Sequence, residues 1–204
     1  MWPPVLADDV VTLRPLTESD REPVFDTLSS DREISRWTRI PWPYERTHLD
    51  QFFALVRGWH RERSDAAFAV TLGDGVDNNG NDGAFLGCIG AHRIGGAWRD
   101  RSSFLPDEPG YWLDQRVRGR GLMTNALGLV CDWMLDDLRR PQVNIQTKVG
   151  NAASRGVIER VGFRYTGTVL ACDVDDDPMP VDHDRFVLTP HDRSRARADA
   201  TRAR

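Results

Sequence analysis

Long apolar runs are missing from the 204 residues, and no stretch approaches the roughly 18 to 20 apolar residues of a membrane span. The opening MWPPVLADDVV has no basic segment leading into an apolar one, so no secretory leader is expected. Cysteine is scarce: Cys88, Cys131 and Cys172 lie far apart and form no CxxC, which points to reduced, buried thiols in a cytoplasmic protein. Neither sign of charge prevails. With 27 basic and 31 acidic residues the net charge is -4, which gives no whole-molecule attraction to nucleic acid or an anionic membrane.

Several reaction classes fall with their missing motifs. A Walker A loop needs a Gly-Lys pair, and none occurs. A Rossmann fingerprint on the glycines near residue 120 needs glycine or alanine at position 124, which is Thr124. No G-x-S-x-G elbow is present. The 5 histidines have no ligand-like spacing, so no metal is expected. Asp173, Asp175 and Asp177 imitate the start of a calcium loop, but Pro178 occupies its glycine position and no glutamate closes it.

What is present suits one packed α/β domain over residues 9–189. Hydrophobic residues make up 40% of the chain and aromatics 9%, and a domain of this size buries roughly 70% of its unfolded surface. DVVTLRPL alternates as a strand, and Thr17 opens a T-x-x-D cap ending at Asp20. Thr47 to Asp50 predicts a second cap, with a helix whose stripe is Leu49, Phe52, Phe53, Val56 and Trp59. SRWTRIPWPYE between these helices is expected to be a packed loop. Strands are expected over 66–72, 84–94, 110–114, 143–149, 165–170 and 184–188, with helices over 122–138 and 152–160. GDGVDNNGNDG and the acidic stretch 173–179 read as turns, and residues 190–204, lacking an apolar face, as a disordered tail. The order implies one mainly antiparallel sheet flanked by helices.

Two segments carry chemistry. RVRGRG stands directly before the helix LMTNALGLVCDWML, whose stripe is Met123, Ala126, Leu127, Val130 and Met134. Gly119 and Gly121 let a backbone approach a ligand, and amides at a helix start form an anion-binding concavity. Arg116, Arg118 and Arg120 add positive charge; the alternative is an arginine-rich surface turn. In NAASRGVIERVGF, Asn151 either caps the helix or, with Ser154, faces a ligand.

GYWLDQRVRGRGLMTNAL followed by NAASRGVIERVGF resembles the GNAT superfamily of N-acetyltransferases, in its ribosomal-protein (RimJ/RimL-like) branch. Arg116, Gly119 and Gly121 match the family's Q/R-x-x-G-x-G/A loop. Asn151, Ser154, Gly162 and Phe163 match its N-x-x-S and G-F pair, and VTLRPLTESD matches its first strand and helix. The resemblance implies strands near 110–114 and 143–149 that splay apart to admit acetyl-CoA or another acyl-CoA. Its pantetheine arm would pair with backbone near Leu113. Its pyrophosphate would rest on the amides of Val117, Arg118, Gly119, Arg120, Gly121 and Leu122 at the entry to Met123 and Thr124. Asn151 would hold the pantetheine arm and Ser154 would sit near the sulfur. Relatives carry a tyrosine acid where this chain has Ile158, which leaves the proton donor to Ser154 or water. The implied base is Glu108, ahead of GYWLD, with Asp182 a second candidate. Trp37, Trp42 and Tyr44 either line the acceptor pocket or pack. The expected activity is acyl transfer to a primary amine, a protein N-terminus or a small molecule, by a monomer or homodimer. The competing readings are a non-catalytic acyl-CoA-binding module and nucleic-acid binding through the arginine loop.

Overall fold

The computed structural model describes residues 2–72, 83–95, 105–170 and 181–202. Eight strands form two antiparallel sheets. The first has the order β1 (Leu6–Ala7), β2 (Val11–Pro15), β3 (Ala66–Leu72), β4 (Gly87–His92) and β5 (Glu108–Leu113). In the second, β8 (Asp182–Leu188) lies between β6 (Val143–Lys148) and β7 (Arg164–Leu170). Among the described residues, β6 meets the residue just before β5 through one main-chain hydrogen bond, Asn144 N–H to Asp107 O at 3.1 Å. Beyond it the two edge strands part. The splay expected between these strands is present.

β3 shows why the first sheet is covered on both faces. Its AAFAV run is buried throughout, and alternation sends successive side chains to opposite faces. Ala66, Phe68 and Val70 join Leu13, Ile89 and the apolar stripe of α4 (Leu122–Asp132). Ala67, Ala69 and Cys88 join α1 (Arg21–Ser30) and α3 (Arg46–Glu62) through Val24, Leu28, Leu49, Phe53 and Val56. Two cores thus sandwich one sheet.

Boundaries depart from expectation where caps and tertiary contacts decide them. Thr17 and Asp20 do form a capping box, ahead of a 3-10 turn leading into α1. α3 begins at Arg46, just ahead of the Thr47 signal, because Glu45 and His48 cap it reciprocally. The packed loop loses its first residues to α2 (Arg32–Trp37), which Asp31 caps by accepting from Glu33 N–H. α4 continues through a wide π turn, Trp133–Asp137, so its expected extent holds. GDGVDNNGNDG and the stretch 173–179 lie almost wholly and wholly outside the described residues, respectively.

The expected disordered tail is the main error, since residues 190–202 form α6 (Pro190–Arg202). It docks without an apolar stripe. Arg193 lies over Gly128, where an added Cβ would sit 2.8 Å from its Nη2, and it pairs with Asp132 at 2.7 Å. Ala196 presses on Gly162, leaving 2.6 Å to a Cβ built there. Small residues and a half-buried ion pair hold this helix.

Candidate active site

A cleft of 1010 Å³ opens where β5 and β6 part, walled also by α2, α3, α4 and α5 (Ala152–Val161). Its lining includes Glu108, Leu113, Arg118, Gly119, Gly121, Leu122, Met123, Thr124, Asn151 and Ser154. Most of the expected site therefore converges on one space.

Local chemistry shapes the glycine loop. Asp114 accepts from Arg116 N–H at 2.8 Å, turning the chain after β5. Gly119 and Gly121 then adopt φ of 77° and 80°, the left-handed region open to glycine at little cost. A Cβ built on either meets nothing within 4 Å, so the space above the loop is open. Gly121 occupies the cap position of α4 without a side chain to satisfy the first amides. No protein acceptor is recorded for the N–H groups of 119–123 among the described residues. Thr124 Oγ1 is buried, lacks a hydrogen-bond partner and belongs to the cleft wall. Unpaired donors, a helix start and open space together fit a pyrophosphate-sized anion.

The arginines behave differently from the expectation. Arg116 and Arg120 are not on the cleft wall. Arg116 grips Asp114, with Nη2 to Oδ2 at 2.6 Å, and Arg120 reaches back to Arg116 O at 3.3 Å. Val117 packs against the main core instead. Arg118 does face the cleft, but its guanidinium holds Asp31 and the Leu113 carbonyl (Nη2 to O, 2.8 Å). Two of the three charges are met by carboxylates.

Glu108 is the buried carboxyl of the site, 4% exposed. It accepts from Leu105 N–H and, at 3.4 Å, from Gln146 Nε2. Burial pushes its pKa up to about 7, against the smaller opposing pull of the Leu105 hydrogen bond and the Arg39 charge. Opposite it in the alternation of β5, Tyr111 faces the gap. Its hydroxyl meets Ser154 Oγ at 2.9 Å, and burial holds the phenol well above its ordinary range. Asn151 is the cap of α5, its Oδ1 accepting from Ser154 N–H at 3.1 Å, and it lines the cleft as well. Cap and cleft residue are the same side chain. Ile158 is fully buried in the main core and offers no proton.

The acceptor candidates divide. Trp37 and Tyr44 line the cleft, whereas Trp42 is 41% exposed and stands off it. Asp182 is also exposed and away from the cleft wall; the next residue, His183, takes that place. His183 Nδ1 lies 2.8 Å from Val181 O, and burial lowers its pKa. Sequence reading missed Tyr111, Gln146 and His183. The first two were within reach: in EPGYWL the residue alternating with Trp112 is Tyr111, and in VNIQTK the polar residues Asn144, Gln146 and Lys148 share one face. Among the described residues no group of three or more His, Cys, Asp or Glu is placed to hold a metal ion. No helix there is long and apolar enough to cross a membrane.

A splayed antiparallel sheet, a glycine loop at a helix start and a buried carboxyl across the gap define an acyltransferase class of domain. A family model described as an acetyltransferase (GNAT) domain matches residues 11–164, and the chain belongs to that family. A Bacillus subtilis (strain 168) protein named "Putative ribosomal N-acetyltransferase YdaF" is 33% identical over 160 residues, 77% of this chain and 79% of its own. Among solved structures, Mycobacterium smegmatis RimJ in complex with CoA-disulfide superposes with a TM-score of 0.74 at 22% identity, over 98% of this chain and 96% of its own. RimL, the ribosomal L7/L12 alpha-N-protein acetyltransferase, in complex with coenzyme A, gives 0.68 at 16% identity, over 91% and 98%. The protein is a GNAT-type N-acetyltransferase by family.

Proposed function

We propose that this protein moves an acyl group, acetyl in the simplest case, from coenzyme A to a primary amine by direct attack in a ternary complex. The observation that carries the reading is Glu108, a buried carboxyl with its pKa at about 7, sharing a cleft with an open amide cradle. A group with that pKa accepts protons efficiently near neutrality. A module that only bound acyl-CoA would have no use for such a carboxyl. RimJ and RimL, known with coenzyme A bound, supply the analogy for the donor.

Coenzyme A would bring the activated thioester. The amides of 119–123 and Thr124 Oγ1 would hold its pyrophosphate, and Asn151 would lie along the pantetheine arm. Glu108 takes the proton of the incoming ammonium, so that nitrogen bonds to the acyl carbon as the carbon–sulfur bond breaks. Ser154 Oγ, in a hydrogen bond with the Tyr111 hydroxyl, would return a proton to the departing sulfur. Cys88 also lines the cleft, but burial pushes its thiol up to about 12, which keeps it protonated and disfavours an acyl-cysteine route. Oriented reactants and fixed donors provide the rate gain.

The acceptor class is a protein N-terminus or a small amine, the first in line with RimL, a ribosomal L7/L12 alpha-N-protein acetyltransferase. Native mass spectrometry of the purified chain tests the donor: a mass shift equal to coenzyme A supports the reading. Absence of both that shift and any melting-temperature rise with added coenzyme A overturns it. Thiol release across a panel of amines tests the transfer.

A further inference from the structure

Asp31 is the joint between two helices and also a partner of the glycine loop. Its N–H donates to Thr27 O at 3.2 Å and so closes α1. Its Oδ1 accepts from Glu33 N–H at 3.0 Å and so caps α2. Its other carboxylate oxygen, Oδ2, takes Nη2 of Arg118, 87 residues further along the chain. The Asp31 side chain is 7% exposed, so its half of the ion pair is buried. Without the cation, that carboxylate would have little water to replace it.

The guanidinium divides its hydrogens between the two ends of the link. Nε and Nη2 of Arg118 donate to Leu113 O, at 3.0 and 2.8 Å, and Nη2 also serves Asp31. Arg118 is thereby pinned to the end of β5, at the root of the glycine loop. Nη1 makes no hydrogen bond among the described residues, and Arg118 lines the cleft. An anion on the loop amides can therefore engage Nη1 without displacing Asp31.

α2 is where such a link has an effect. Six residues make a helix too short to persist by itself. It is held by Ile34 in the core it shares with α1 and α3, by its cap on Asp31, and by Lys148 Nζ, which donates to Arg36 O at 3.0 Å. The helix and the segment after it supply Trp37, Thr38, Ile40 and Pro41 to the cleft wall. Tightening the cap at Asp31 therefore steadies that wall.

We propose, resting on the donor-binding reading above, that Arg118 and Asp31 transmit occupancy of the donor site to α2. Coenzyme A fixes the glycine loop, the loop fixes Arg118, and Asp31 passes that constraint to the helix and the wall it carries. Asp31 is a positioning residue in this scheme, acting through the cap of α2. A ligand that rests on this wall then binds more tightly beside coenzyme A, and by the same factor in return.

Hydrogen exchange read by mass spectrometry on the full chain, with and without saturating coenzyme A, tests the link and needs no acceptor. In the native protein, exchange over residues 33–38 should slow about fivefold or more, together with that over 113–124. Asp31→Asn keeps an Oδ1 to cap α2, since asparagine caps as well as aspartate, but it gives up the ion pair. In that variant coenzyme A should still protect 113–124 while 33–38 no longer responds. A residue that only capped α2 would leave the response of 33–38 intact there. Arg118→Gln cuts the link from its other end and should uncouple α2 in the same way, which keeps the test open should Asp31→Asn fold poorly. Protection of 113–124 without α2 in the native protein, or an α2 response that survives both substitutions, overturns the proposal and leaves donor binding standing. No slowing anywhere in the native chain would sink the proposal together with the donor reading.

Discussion

The Tyr111 hydroxyl lies 2.9 Å from Ser154 Oγ and so joins β5 to α5 across the gap between the sheets. If this pair returns the proton to sulfur, Ser154→Ala lowers kcat about 10- to 100-fold and leaves donor affinity nearly intact. Tyr111→Phe should act in the same direction but less. The double variant should match Ser154→Ala alone, because both changes cut one path. The cap of α5 survives in Ser154→Ala, since Asn151 bonds the backbone of residue 154 rather than its hydroxyl. Steady-state kinetics with calorimetric coenzyme A titration decides it: independent, multiplying losses would separate the two hydroxyls.

Glu108→Gln keeps size and hydrogen-bonding reach but cannot accept a proton. Near neutrality kcat/KM should fall about 10²-fold or more. In the native protein the rate should rise with pH through the ionisation at about 7. In the variant that inflection should vanish, and the deficit should narrow as free amine becomes abundant. A pH-independent loss of a few-fold would reassign Glu108 to orienting substrate.

The same carboxyl ties stability to pH. Its folded pKa of about 7 stands above the 4.5 of the exposed group, so the folded state binds the extra proton. This contribution is fully present below about pH 4.5 and is lost as pH rises through 7. The shift corresponds to about 3 kcal/mol at most. Glu108→Gln should therefore gain stability relative to the native protein at pH 8 and show little difference at pH 4.5. Urea melts at the two pH values measure it; a constant gap between the proteins would contradict the burial argument.

At Gly119 the backbone, rather than a collision, makes glycine necessary. A Cβ there touches nothing within 4 Å, yet φ of 77° disfavours a β-branched residue and the added group would project into the cradle's open space. Gly119→Val should abolish the melting-temperature rise that coenzyme A gives, while the apo protein loses only about 1–3 kcal/mol. A retained rise would remove the phosphate role from this loop.

Local chemistry was legible in the sequence and distant partners were not. The stripe of α4, the cap at Asn151 and the paired glycines depend on neighbours within a few residues, and each stands where expected. Asp114, two residues from Arg116, was also within reach, and its chelation of that arginine follows from spacing. Asp31, 87 residues from Arg118, was not, so the charge of the loop was overcounted. Asp182 failed by one position: at a strand end the inward face depends on register against β6, which places His183 opposite Lys148. α6 escaped because an arginine on Asp132 and alanine against glycine leave no hydrophobic period to detect.

Beyond the Asp107–Asn144 contact the facing edges of β5 and β6 are not paired with each other, so their peptide groups border the gap. Peptide groups are common to all residues, so a substitution in these strands whose side chain points away from the cleft leaves that edge chemically unchanged. Trp37, Arg39, Gln146 and Lys148 also line the cleft, and a single codon can alter the identity of each. Genetic drift on such a scaffold therefore keeps the co-substrate while moving the specificity for the amine. Lineages built on it would diversify in what they modify long before they change what they modify it with.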